Sequence, residues 1–272
     1  MSEGLDTPAA RDGRATTPPF LRGARAAMTF LTRVPVGGFP YSEADFRWAS
    51  AWFPLVGLLL GAAQALVFAA TSRAGALAAA ALTVGLGMLL TGAFHEDGLA
   101  DTADALGGAY ERKRLFEILK DSRVGSFGAG ALAVVLILRI ALLARLGAAA
   151  PLALVLTQSL SRTPPIWMMV AMPYVTSDAA AKSRLVTRAG AAQALVATAW
   201  PALAIGVAVA RRWLSLPEAA AMVAGIAAVA LVCAQRFHAR AGGITGDFLG
   251  ATQQVGECAA LLALALLRGD AP

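Results

Sequence analysis

Four carboxylates, Glu96, Asp97, Asp101 and Asp104, sit in the stretch FHEDGLADTADALGG, residues 94–108, directly after a long apolar run. On a helix each residue advances about 100°. The four-then-three spacing of Asp97, Asp101 and Asp104 therefore gathers them within an arc of roughly 60°, with Glu96 on a neighbouring flank. Like charges on one helix face repel, so this face needs a cation or bound protons. Donors that are all oxygen suit a hard divalent ion such as Mg²⁺; no His/Cys set with zinc spacing accompanies them. Two plainer readings compete: a solvated acidic loop, or surface ion pairs with Arg112, Lys113 and Arg114, which would contribute little. His95 alone is a weak signal.

Three further stretches carry polar chemistry. In GGITGDFLGATQQVGECAALLALAL, residues 242–266, glycines suggest a flexible entry around Thr245 and Asp247, followed by Gln254 and Glu257 inside an apolar segment. Asp247 is placed to complete a metal site begun by the first cluster, or it, or Thr245, caps a helix. Gln254 and Glu257, so near lipid, read as substrate contacts. In ILKDSRVGSFGAG, residues 118–130, Lys120 and Arg123 supply positive charge, and Ser122, Ser126, Gly125 and Gly128 supply hydroxyls and open backbone at a helix start, a setting that suits phosphate. Ordinary cytoplasmic-loop basicity explains the charges equally well. In SLSRTPPIWMM, residues 159–169, Arg162 stands beside two prolines that interrupt a helix, and a buried arginine there needs a polar cavity or an interface. Arg139 and Arg145 are read as snorkelling from the far end of their span. Metal-binding acids, basic groups and open loops together are what phosphoryl transfer requires. No GxxxxGK[ST] loop is present, which argues against P-loop ATP hydrolysis.

These residues need a scaffold, and the composition points to a bilayer. The 272-residue chain is 58% hydrophobic and 15% charged, against about 25% charged for soluble domains. The fold expected is an all-α, polytopic integral membrane helix bundle of about seven transmembrane helices, near 51–71, 76–94, 127–145, 151–172, 191–210, 217–235 and 249–267, each close to the roughly 20 residues a crossing needs. With a cytoplasmic N-terminus, sixteen Lys/Arg fall on the cytoplasmic side and five opposite, as the positive-inside rule requires. The net charge of +6 is then accounted for without nucleic acid. Residues 1–19 read as a disordered tail and 20–272 as one membrane catalytic domain, in which 20–35 form an interfacial helix with Arg22 and Arg25 away from its apolar face. Cys233 and Cys258 lie in apolar segments and read as free thiols.

FLTRVPV, FHEDGLADTADALGG, ILKDSRVGSFG, SRTPPIW and GGITGDFLGATQQVGE occur in this order. Across about residues 28–267 the chain resembles the cobalamin synthase family, the adenosylcobinamide-GDP ribazoletransferases. The resemblance implies a Mg²⁺-dependent enzyme of the cytoplasmic (inner) membrane, its active face cytoplasmic, acting late in coenzyme B12 assembly. It would join adenosylcobinamide-GDP to α-ribazole or its 5′-phosphate and release GMP. On that reading Asp97, Asp101 and Asp104 are catalytic metal ligands, with Glu96 and Asp247 as further ligands. Lys120, Ser122 and Arg123 face the pyrophosphate or departing GMP, Arg33 and Arg162 the second substrate's phosphate, and Thr245, Gln254 and Glu257 line the substrate site. A looser likeness links DGLA at residues 97–100 to the CDP-alcohol phosphotransferases, but Asp101 stands where that family has Arg. A membrane transporter is the other alternative, although transporters place such groups at the midplane. Self-association and contacts with neighbouring pathway enzymes stay open.

Overall fold

The computed structural model describes residues 17–37, 41–175 and 189–268. Nearly all of the expected N-terminal tail therefore lies outside the described residues, as do Lys182, Arg184 and Arg188 of the charge count. Among the described residues the chain is all-helical, and its one β-type contact is an isolated bridge between Tyr174 and Ile244.

Helix α1, Pro19–Leu31, buries Gly23, Ala26, Ala27 and Leu31 on one side. Its Arg22 reaches Asp45 at 2.8 Å, the residue that also closes a capping box with Ser42 at the start of α2, Glu43–Ala49. A short 3₁₀ turn leads into α3, Phe53–Thr71. There follow α4, Ala76–Thr91, α5, Phe94–Gly108, α6, Arg112–Ile118, and α7, Ser126–Leu146. The chain ends with α8, Ala150–Leu160, α9, Thr163–Ala171, α10, Ala191–Ala210, α11, Leu216–Ala241, and α12, Gly246–Arg268.

Among the described residues, five helical stretches, or six with the bent pair α4–α5, are long and apolar enough to cross a membrane. Two of the sequence-derived spans are not simple rods. The second breaks at Gly92 and Ala93, both left-handed (φ 67° and 56°), so that α5 leaves α4 at 91°. The fourth breaks after Ser161, because the prolines of Thr163–Ala171 start a new helix rather than continue the old one. Residues 126–171 also double back. Arg139 of α7 and Gln158 of α8 both reach the same Glu257 oxygen, at 3.0 and 2.9 Å, whereas 19 residues of straight helix would hold them about 28 Å apart. The reversal occurs at Gly147, at φ 51°.

The main core joins α8 (Leu154, Leu156), α12 (Leu261, Leu264), Met222 and Leu143. Aliphatic side chains such as Leu66, Leu89, Val134, Ile137, Leu203 and Leu231 remain exposed, apolar surface that suits lipid rather than water.

Candidate active site

The four acids of α5 do not share one fate. Asp97 is exposed and Asp101 half-buried, whereas Glu96 and Asp104 are buried. Asp104 takes the N-terminus of α7: its Oδ2 accepts from Gly125 N–H at 2.7 Å and its Oδ1 from Gly128 N–H at 2.8 Å. Both glycines are needed for that approach, since a Cβ on Gly125 would stand 2.5 Å from Asp104 Oδ1 and one on Gly128 would also strike the carboxylate. The open backbone that the sequence offered to a phosphate is thus occupied by a carboxylate of the same protein. Asp104 acts as a remote cap, satisfying two of the N–H groups a helix start leaves without partners.

Helix α12 brings Asp247 to the open face. It crosses α5 closely at Gly98, where an added Cβ would lie 3.0 Å from the Asp247 carbonyl. Asp97, Asp104 and Asp247 all act electrostatically on Asp101. Thr245 caps α12, accepting from Phe248 N–H at 3.2 Å, and its hydroxyl also bonds the Asp247 carboxylate. The stretch before it is fixed rather than flexible: Ile244 N–H donates to Pro173 O, and Ile244 O accepts from Val175 N–H.

Beside Asp97 opens a cavity of about 550 Å³ lined by Arg33, Thr29, Phe30, Glu96, Asp97 and Val124 among others, a size typical of ligand clefts. Arg33 is exposed and packs over Gly92 at the α4–α5 break. Lys120, Ser122 and Arg123 are exposed in the loop before α7. Arg123 grips Asp121 with two bonds of 2.9 and 2.6 Å, and these hold the Asp121 carboxyl down at about 2.

Behind the acidic face lies a second, enclosed set of charges. Arg139, 2% exposed, donates from Nη1 to Glu96 Oε1 at 3.1 Å and to Gln254 Oε1 at 3.0 Å, and from Nη2 to Glu257 Oε1 at 3.0 Å. Gln254 Nε2 donates back to Glu96 at 3.1 Å. Gln253 donates to the other Glu257 oxygen at 3.0 Å. Arg162 Nη1 donates to the Gln158 carbonyl and side-chain oxygens at 2.5 and 2.6 Å, and the residue lines a narrow pocket with His95 and Gln253. Gln254, Glu257 and Arg162, read from sequence as substrate contacts, are therefore turned inward. Arg139 is not a snorkelling residue; it lies at the centre of this network. Its position inside an apolar span was the available signal, because a charge there requires a partner. Gln158 and Gln253 gave no comparable signal. Cys233 and Cys258 are free, as expected.

Among the described residues, no three Asp, Glu, His or Cys side chains stand ready to close on one metal ion. The accessible donors, Asp97, Asp101 and Asp247, are nevertheless of the type Mg²⁺ takes. Such sites commonly use one or two carboxylates and leave the remaining positions to water and substrate phosphate.

A helical bundle with a lipid-suited exterior and an acid-lined cleft at a helix break has the make-up of a membrane-embedded protein with its site at the end of a span. The family comparison narrows the class: the cobalamin-5-phosphate synthase family model matches residues 23–265. The chain belongs to that family. Curated relatives named adenosylcobinamide-GDP ribazoletransferase include one from Albidiferax ferrireducens, 40% identical over 91% of this chain and 98% of the relative. Others come from Shewanella piezotolerans, 37% identical over 89% and 93%, and Vibrio cholerae, 39% identical over 85% and 88%. No solved structure matches the chain.

Proposed function

We propose that this chain transfers the cobinamide phosphate of adenosylcobinamide-GDP to α-ribazole or its 5′-phosphate, in a Mg²⁺-dependent reaction at the cytoplasmic face of the inner membrane. The ribose 3′-hydroxyl oxygen bonds to the phosphorus carried by the cobinamide arm, the bond from that phosphorus to the bridging oxygen breaks, and GMP leaves. The hydroxyl proton passes to a carboxylate of the acidic face. The supporting observation is the meeting of Asp97 and Asp101 of α5 with Asp247 of α12 beside a cavity that Arg33 also lines.

Asp97, Asp101 and Asp247 are the residues we assign to the metal; Asp104 and Glu96 are already held by α7 and by Arg139. Bound there, Mg²⁺ would offset the charge of the diphosphate and of the leaving GMP. Arg33 binds a substrate phosphate from the cavity wall. Lys120, Ser122 and Arg123 close over the nucleotide, Arg123 exchanging Asp121 for phosphate oxygens. The test is GMP release by the purified protein in detergent. Release that needs both substrates and Mg²⁺ is expected. Release without the ribazole, or substrate uptake into vesicles without any release, overturns the assignment.

A further inference from the structure

The enclosed network sits directly beneath the acidic face, and its members come from α5, α7, α8 and α12, with Arg162 in the turn after α8. Glu96 and Asp97 are neighbours on α5, so about 100° separates them around the helix: both border the cavity, but Glu96 is buried with one oxygen on Arg139 while Asp97 is exposed. Farther along, Asp104 on the start of α7 and Gly98 against α12 hold α5; in its first turn Glu96 is the side chain engaged in charged contacts. The helix begins after a two-residue break at Gly92 and Ala93, and a left-handed alanine is a conformation that surrounding contacts must enforce. Arg139 supplies such a contact by joining two helices through separate nitrogens: Nη1 holds Glu96 of α5, and Nη2 holds Glu257 of α12. Gln254 bridges the same pair, bonding both Glu96 and Arg139. Glu257 is fully enclosed and has no access to a ligand. Arg139 and Arg162 balance Glu96 and Glu257, so the cluster is neutral.

We infer that Arg139, held by Glu257 and Gln254, is a positioning residue: through Glu96 it fixes the first turn of α5 and thereby aims Asp97 into the cleft opposite Asp247. This rests on the proposed reaction for its kinetic consequence, but not for its geometric one. Glu96 on this account serves as the anchor of α5 rather than as a metal ligand.

The experiment uses the full-length protein in nanodiscs with Arg139→Lys, which keeps the charge but loses the two-nitrogen fork, and with Gln254→Met, which keeps every charge paired. Misplacement on the scale of 1 Å costs about 10²-fold in rate. Arg139→Lys should therefore lower kcat by about that factor per folded protein, with KM for adenosylcobinamide-GDP changed less than about threefold; Gln254→Met should show a smaller loss of the same kind. The second readout needs no turnover. With Cys233 and Cys258 replaced by alanine, Asp97→Cys is labelled by a water-soluble maleimide, and adding either network variant should change the labelling rate severalfold. If the parent protein releases no GMP, the proposed reaction fails while the labelling still decides the positioning role. Unchanged labelling in both variants, or kcat loss that vanishes once normalised to folded protein, overturns the inference. Should Arg139→Lys not fold, Gln254→Met decides alone on the same two readouts.

Discussion

Asp101 and Asp104 are three residues apart on one helix, yet their surroundings give them different work. Asp101 is half-buried among Asp97, Asp104 and Asp247, so removing its charge relieves repulsion while removing a metal donor. Asp101→Asn is expected to cut GMP release by more than about 10²-fold and to leave the thermal midpoint equal to or above that of the parent. Asp104 has both oxygens on backbone N–H groups of α7. Asp104→Ala should lower stability by about 1–2 kcal/mol, read from denaturant unfolding in detergent, whereas Asp104→Asn keeps one acceptor and should cost less. If Asp104→Asn loses all activity at full stability, its role is in the metal site after all. The sequence disclosed that these acids share a helix face, because helical arithmetic needs only spacing. It did not disclose which of them were already engaged, because the partners of Asp104 are backbone groups 21 and 24 residues away. Arg139 was hidden for a related reason: its carboxylate partners lie 43 positions before it and 118 after it.

Elements place these residues mainly through close helix approach. Helix α3 meets α8 at Gly57 and Gly61, where a Cβ on Gly61 would stand 2.5 Å from Leu154 O and one on Gly57 would strike Gln158 O. Small residues spaced four apart allow backbones to touch in lipid. The contact also backs Gln158, which carries Arg162 on one side and Glu257 on the other. Gly61→Val should therefore force the helices apart at a cost of about 1–3 kcal/mol, visible as a lower thermal midpoint and reduced yield of folded protein. The spanning helices were legible, since apolar length and flanking charge mark them, whereas the short charged helices α2 and α6 carry no such mark. The α4–α5 break was not legible either. Gly92 alone is a weak signal, Ala93 has no feature that announces a positive φ, and no proline stands there.

The molecule as a whole presents the loop before α7 and the start of α12 toward one common face, where Asp97, Asp101 and Asp247 collect. The positive-inside asymmetry predicts that this face is cytoplasmic. A single cysteine at Ser122, in a background lacking Cys233 and Cys258, should react with an impermeant thiol reagent only in inside-out vesicles; one at Ala149 should react only in right-side-out vesicles or intact spheroplasts. The reverse labelling would invert the assigned topology.

Helix α4 contains 16 residues before its break, which gives it a length of about 24 Å, several ångströms short of the roughly 30 Å hydrocarbon layer of an ordinary bilayer. Acyl chains beside it must shorten or tilt to meet it, since thinning is the usual answer to a helix that is too short. The headgroup region is then expected to dip toward the Gly92–Ala93 turn. Host lipids of longer chain length would make that depression harder to maintain.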